Sequence, residues 1–188
     1  VAADGAIFEL KTAATIHAEH RAQLLNYLLL AGVQHGKLLC FSSRRLQHEF
    51  VNSKLTPHQR RQFRVNRDEW SPIEGFGEKE QATMIAMVHD WGTCLSRGLY
   101  EHFLVHLLGG EEQAFGFVTV FFDGREVGRQ SSMLCSPRSA ARLTTFEGDV
   151  TGARRNLRRY LEAADLDALQ WINIARDEVS FRTLLSHR

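Results

Sequence analysis

The alternation of apolar and polar positions divides the chain into short strands and amphipathic helices. Residues 6–11 have strand length, and their alternation puts Glu9 and Lys11 on one face and Leu10 on the other. Asp4-Gly5 before them is a tight-turn pair that predicts a hairpin. Leu24, Leu25, Leu28 and Ala31 recur at helical spacing, which predicts a helix capped by Thr15 and closed by Gly32. Runs at 37–41 and 46–51 predict two further strands. Thr56-Pro57 predicts a helix start with Thr as the cap and Pro in the first turn. A basic stretch follows, with Arg60, Arg61, Arg64 and Arg67.

Pro72, Gly75 and Gly77 mark residues 69–78 as a linker. Beyond it, 79–108 read as helix, broken near Gly92 and Gly98. Asp123-Gly124 predicts a hairpin between strands at 114–122 and 126–134. A strand at 140–146, a helix at 149–164 and a strand at 169–174 follow, and 179–184 closes the chain. The mixture predicts an α/β fold on the border of α+β. The expected domains are 1–68 and 79–188.

A constant offset of 133 carries residues 7–41 onto 140–174 without a gap. Leu10 meets Leu143, Leu24 meets Leu157, Tyr27-Leu28 meets Tyr160-Leu161, and Ala31 meets Ala164. Hydrophobic period and element order agree, so a duplicated strand–helix–strand unit is expected. By the same logic the first copy lacks the helix and hairpin that precede the second, and the chain is expected to be truncated at its N-terminus.

Charge refines this picture. Residues 1–67 hold ten Lys/Arg against four Asp/Glu, while 68–188 hold thirteen against eighteen. A basic first part suits a polyanion such as nucleic acid. No apolar run reaches the roughly 18 residues needed to span a membrane, and no secretory signal is visible. Cys40, Cys94 and Cys135 lie far apart without CxxC spacing, so they are read as reduced thiols of a cytoplasmic protein.

The candidate chemistry lies in the first copy. A carboxylate and an ammonium side by side on a strand suit metal-assisted phosphodiester hydrolysis. The carboxylate holds Mg²⁺, and the lysine steadies the attacking water and the developing charge. Gln23 and Tyr27 are one helical turn apart and share a face, to which His20 can also belong. Weaker candidates are the pairs His17/His20 and His102/His106 as metal ligands. Trp70, Trp91 and Trp171 are candidates for base stacking, with core packing the simpler reading of each.

The phrase Ile7-Phe8-Glu9-Leu10-Lys11, then His20-x-x-Gln23-Leu24-Leu25-Asn26-Tyr27-Leu28, then Gly36-Lys37-Leu38-Leu39-Cys40-Phe41, resembles the GxxExxY-type proteins. These belong to the RecB-like branch of the PD-(D/E)xK nuclease superfamily. The resemblance implies a restriction-endonuclease-like mixed sheet flanked by helices and a Mg²⁺-dependent nuclease acting on DNA, with Mn²⁺ as an alternative ion. It implies that Glu9 and the carbonyl of Leu10 bind the metal, that Lys11 is the catalytic lysine, and that Gln23 and Tyr27 support substrate or metal. The family also uses an upstream aspartate and an upstream helical glutamate. Asp4 is too close to Glu9 for the first role and is read as a turn residue.

In the second copy Arg142, Thr144 and Asn156 stand where the first has Glu9, Lys11 and Gln23, and only Tyr160 persists. The expectation there is a catalytically inactive, nuclease-like domain. A nuclease-fold binding or scaffolding protein is therefore the alternative reading of the whole.

Overall fold

The computed structural model describes residues 2–3, 5–41 and 46–186. Asp4, expected in a turn, lies outside the described residues. The chain forms two compact units: Val1–Gln62 with Asp90–Ser96, and Phe63–His89 with Arg97–Arg188. The α/β class expected from the pattern is the one found.

The first unit carries a four-stranded mixed sheet of β1 (Ala2–Ala3), β2 (Ala6–Lys11), β3 (His35–Cys40) and β4 (Gln47–Asn52), in that order. β1 and β2 form the expected hairpin, with Gly5 at a φ of 74° in its turn. β2 and β3 run parallel, joined through helix α1 (Ala18–Ala31). Leu24 and Leu28 of α1 bury onto Ile7 and Leu38, so the helix covers the sheet face that also carries Glu9 and Lys11.

Helix α1 begins later than expected. Its cap is His17, not Thr15. The Thr15 hydroxyl is engaged with the His17 ring at 3.0 Å, and His20 Nδ1 accepts from the His17 backbone N–H at 3.2 Å. His20 thus plays the N3 part of a capping box, accepting from the backbone N–H of the cap residue. Gly32 closes the helix in the left-handed region, as expected. The short helix α2 (Pro57–Arg61) starts as expected: Thr56 accepts from Gln59 N–H while the Gln59 side chain accepts from Thr56 N–H.

The second unit carries a six-stranded mixed sheet. It comprises β5 (Arg64–Glu69), β6 (Phe115–Phe122), β7 (Arg125–Ser136), β8 (Ser139–Thr144), β9 (Ala168–Ile174) and β10 (Glu178–Leu185), in the order β5-β10-β9-β8-β7-β6. The helices are α3 (Glu78–Trp91), whose last two residues belong to the first unit, then α4 (Arg97–Leu107), α5 (Glu111–Ala114) and α6 (Thr151–Ala163). Leu161 and Ala164 pack on Ala140, Leu169 and Trp171 from one face of the sheet. Ala141, Leu143, Ile172 and Phe181 are buried on the alternate face, where α4 packs against β8.

Residues 71–77 lie within this second unit. Phe76 is fully buried, Ile73 bridges to it, and the Ser71 carbonyl accepts from Gln170 at 2.7 Å.

Strand pairing in the two units follows one scheme at an offset of 133, except at a bulge in β7, where Leu134 rather than Cys135 pairs with Ala140. Ala3 pairs with Ala6 as Ser136 does with Ser139. Ala6 pairs with His35 as Ser139 does with Ala168, and Lys11 with Cys40 as Thr144 does with Asn173. His35 pairs with Asn52 as Ala168 does with Leu185. No helix among the described residues is long and apolar enough to cross a membrane. Cys40, Cys94 and Cys135 are free thiols.

Candidate active site

Strand β2 delivers Glu9 and Lys11 to the face beneath α1, and α1 delivers Gln23 and Tyr27 on consecutive turns. The four side chains form one continuous polar chain. Lys11 Nζ is 2.9 Å from Glu9 Oε1, with both side chains about four-fifths buried. Lys11 also donates to Gln23 Oε1 at 2.5 Å. That bond fixes the Gln23 amide, whose Nε2 donates to the Tyr27 hydroxyl at 2.7 Å. Among the described residues the Tyr27 proton has no acceptor, and the ring is 40% exposed, so an acceptor can come from solution.

Leu10, between the two charged residues, turns its side chain away and is 53% exposed. Mg²⁺ takes oxygen ligands and is often held by one or two carboxylates with water and substrate phosphate completing the shell. The Glu9 carboxylate and the Leu10 carbonyl fit that donor type as part of a set. Among the described residues, no group of three or more His, Cys, Asp or Glu side chains gathers into a metal cluster.

The neighbouring residues are structural. Asn26 is paired twice with Ser96, donating to its hydroxyl at 2.8 Å and accepting from its backbone N–H at 2.9 Å. Arg21 grips Glu49 through two bonds of 2.6 and 2.8 Å. These bonds hold the Glu49 carboxyl below its ordinary range and raise Arg21. His17 and His20 lie with ring centroids 5.5 Å apart, and His20 is occupied by the helix cap. His102 and His106 are exposed on α4.

Trp171 is fully buried and donates to Thr144 at 2.8 Å, so core packing is its role. The basic stretch is largely engaged within the protein. Arg60 is buried, Arg61 donates to the Asp90 carbonyl, and Arg64 pairs with Glu178 at 2.7 Å.

At the matching positions of the second unit the chemistry differs. The Arg142 guanidinium lies over the Tyr160 ring, 5.7 Å from its centroid. Tyr160 donates to Ser132 Oγ at 2.9 Å. Thr144 is sealed in the core, where it bonds Asn173 at 2.8 Å. Beside Arg142 lies a cavity of about 250 Å³ that also involves Glu101 and Glu111. Sequence reading singled out neither glutamate, because helical and strand periodicity do not report that α4, α5, β7 and β8 converge.

Residues 1–53 match the family model of the PD-(D/E)XK nuclease superfamily. The two mixed sheets flanked by helices are consistent with a restriction-endonuclease-like fold. No curated protein and no solved structure matches the chain.

Proposed function

We propose that the first unit is part of a Mg²⁺-dependent, nuclease-like phosphodiesterase acting on DNA, in the GxxExxY manner. The observation that carries this reading is the continuous chain Glu9–Lys11–Gln23–Tyr27. An isolated carboxylate–lysine pair on a strand is ordinary. A pair whose ammonium is also held by a helix glutamine, itself locked to an exposed tyrosine, is oriented for a task.

Glu9 and the Leu10 carbonyl would hold the ion, with Mn²⁺ as an alternative. When bound, it would supply positive charge to the phosphate oxygens and acidify a coordinated water. Lys11, steered by Gln23, would orient the attacking water and balance charge developing on the phosphate. Tyr27 would donate its free proton to a phosphate oxygen. Further acidic ligands would come from residues other than those described.

The reading predicts metal-dependent cleavage of DNA by a protein carrying the complete donor set. Lys11→Ala should reduce the rate by about 10² or more, the scale of losing one aligned electrostatic group, with DNA binding retained. Equal cleavage by that variant would remove Lys11 from the mechanism.

A second reading has its own support. Arg142 and Thr144 stand where Glu9 and Lys11 stand, at a shared strand register. The second unit is on this reading a duplicated, catalytically inactive copy, and the protein a nuclease-fold binding or scaffolding protein. It predicts salt-sensitive nucleic-acid binding without cleavage.

A further inference from the structure

The second unit has a cavity lined in part by Arg142, at a strand register where the first unit has an acidic residue. Arg142 occupies the register position of Glu9. Its guanidinium is half-buried, stacked on Tyr160, and makes no ion pair or hydrogen bond among the described residues. Leaving a guanidinium partly dehydrated and unpaired is costly, and a bound anion would offset that cost.

The lining supplies a second donor. Ser132 is 2% exposed and lines the cavity. It accepts from the Tyr160 hydroxyl at 2.9 Å, which leaves its own proton to give. One aromatic side chain thus positions both the fixed cation and the hydroxyl.

The rest of the cavity is not anion-loving throughout. Glu101 and Glu111 line it as well, along with Ser131 and His102. Glu101 is ion-paired to Arg97 at 3.3 Å. Glu111, His102 and Ser131 are exposed. A simple anion would use Arg142 and Ser132 and meet carboxylates elsewhere. A ligand with an anionic end and hydrogen-bond donors beyond it would satisfy both. Phe115, 46% exposed at the same cavity, offers a ring face for a planar group.

We propose that this cavity binds the phosphate of a nucleotide, seated on Arg142 and Ser132, with ribose or base donors reaching the glutamates. It rests on the nucleic-acid reading above for the choice of a nucleotide. The site replaces a recruited metal cation with a cation written into the sequence, and so it holds phosphate without cleaving it. The nucleotide can be free or the phosphorylated end of a strand, since the chemistry is shared.

The test is calorimetric titration of the full chain, without divalent cations, by a nucleoside 5′-monophosphate, the matching nucleoside and inorganic phosphate. The monophosphate should bind at least about tenfold more tightly than either fragment. Arg142→Gln should weaken it by about tenfold and Ser132→Ala by several-fold, while Arg142→Lys should retain part of the affinity. Competition by a 5′-phosphorylated oligonucleotide but not its unphosphorylated twin would assign strand ends. Binding of the monophosphate with no competition by either oligonucleotide would assign free nucleotides.

Equal affinity for nucleoside and monophosphate overturns the proposal, as does unchanged binding in both Arg142→Gln and Ser132→Ala. Should Arg142→Gln fail to fold, Arg142→Lys and Ser132→Ala carry the test. Because divalent cations are omitted, a failure of cleavage at Lys11 leaves this result untouched, and failure here says nothing about Lys11.

Discussion

Gly75 shows how a single position can be set by a neighbour far away in sequence. Its φ is +76°, in the region L side chains avoid, and a Cβ there would meet the Cys135 carbonyl oxygen at 1.8 Å. The obstacle is backbone, so no rotamer change relieves it. Gly75→Ala should destabilise the protein by about 3 kcal/mol, combining left-handed strain and overpacking. A urea melt should show a lower midpoint at unchanged slope. A midpoint within error of wild type would mean that residues 71–77 can move off β7 at little cost. Cys135 itself is enclosed enough that burial pushes its thiol up to about 12, which makes it a poor nucleophile at neutral pH.

Helix α6 carries a pH-dependent prediction at the scale of elements. Asp149 accepts from the Thr151 hydroxyl at 2.6 Å and from its backbone N–H at 2.9 Å, at the start of the helix. These bonds, the hydroxyl one foremost, hold its carboxyl below the ordinary value of 3.8. A depressed carboxylate stabilises the fold fully above its unfolded value and loses that contribution as pH falls through the folded one. Asp149→Ala should therefore lower the urea midpoint at pH 7, and the gap to wild type should narrow as pH approaches 3. A gap that stays constant with pH would assign the effect to something other than this carboxylate.

The same scale shows what the sequence made legible. β2 and the body and C-terminus of α1 were readable, because alternation, helical spacing and a glycine cap are local. Placing Glu9 with Lys11, and Gln23 with Tyr27, needed only those periods. The N-terminus of α1 lies at His17 rather than Thr15, because a His17–His20 capping box stands where a hydroxyl cap is expected. β5 was invisible: only Val65 breaks its polar run, and the strand exists through parallel pairing with β10, more than a hundred residues later. The bond from Lys11 to Gln23 was also beyond local reading, because it depends on how α1 seats on the sheet.

At the scale of the whole molecule, the first unit is assembled from discontinuous chain, residues 1–62 and 90–96, and one buried cation ties the pieces. Arg60 is 2% exposed. It donates to the carbonyls of Leu29 and Trp91 at 2.5 Å each and of Thr93 at 2.8 Å. Thr93 answers through its backbone N–H and its hydroxyl, both onto the Arg60 carbonyl at 2.9 and 3.0 Å. Composition had counted this residue as part of a basic surface. Burial converts it instead into a donor hub for helix-end and loop carbonyls that strand and helix ladders leave unsatisfied.

Arg60→Met keeps much of the volume and removes a costly buried charge, yet it strands three acceptors at once. The stranded acceptors outweigh the relieved charge, and the net loss should be about 4 kcal/mol. Arg60→Lys keeps the charge but not the fork, and should fall between. The distinguishing measurement is native-state hydrogen exchange at the Thr93 amide. If Arg60 holds residues 90–96 in place, that amide should lose protection in Arg60→Met by more than the Ile7 and Leu38 amides of the sheet. Uniform loss across the unit would instead make Arg60 a contributor to global stability without a specific hold on the inserted segment.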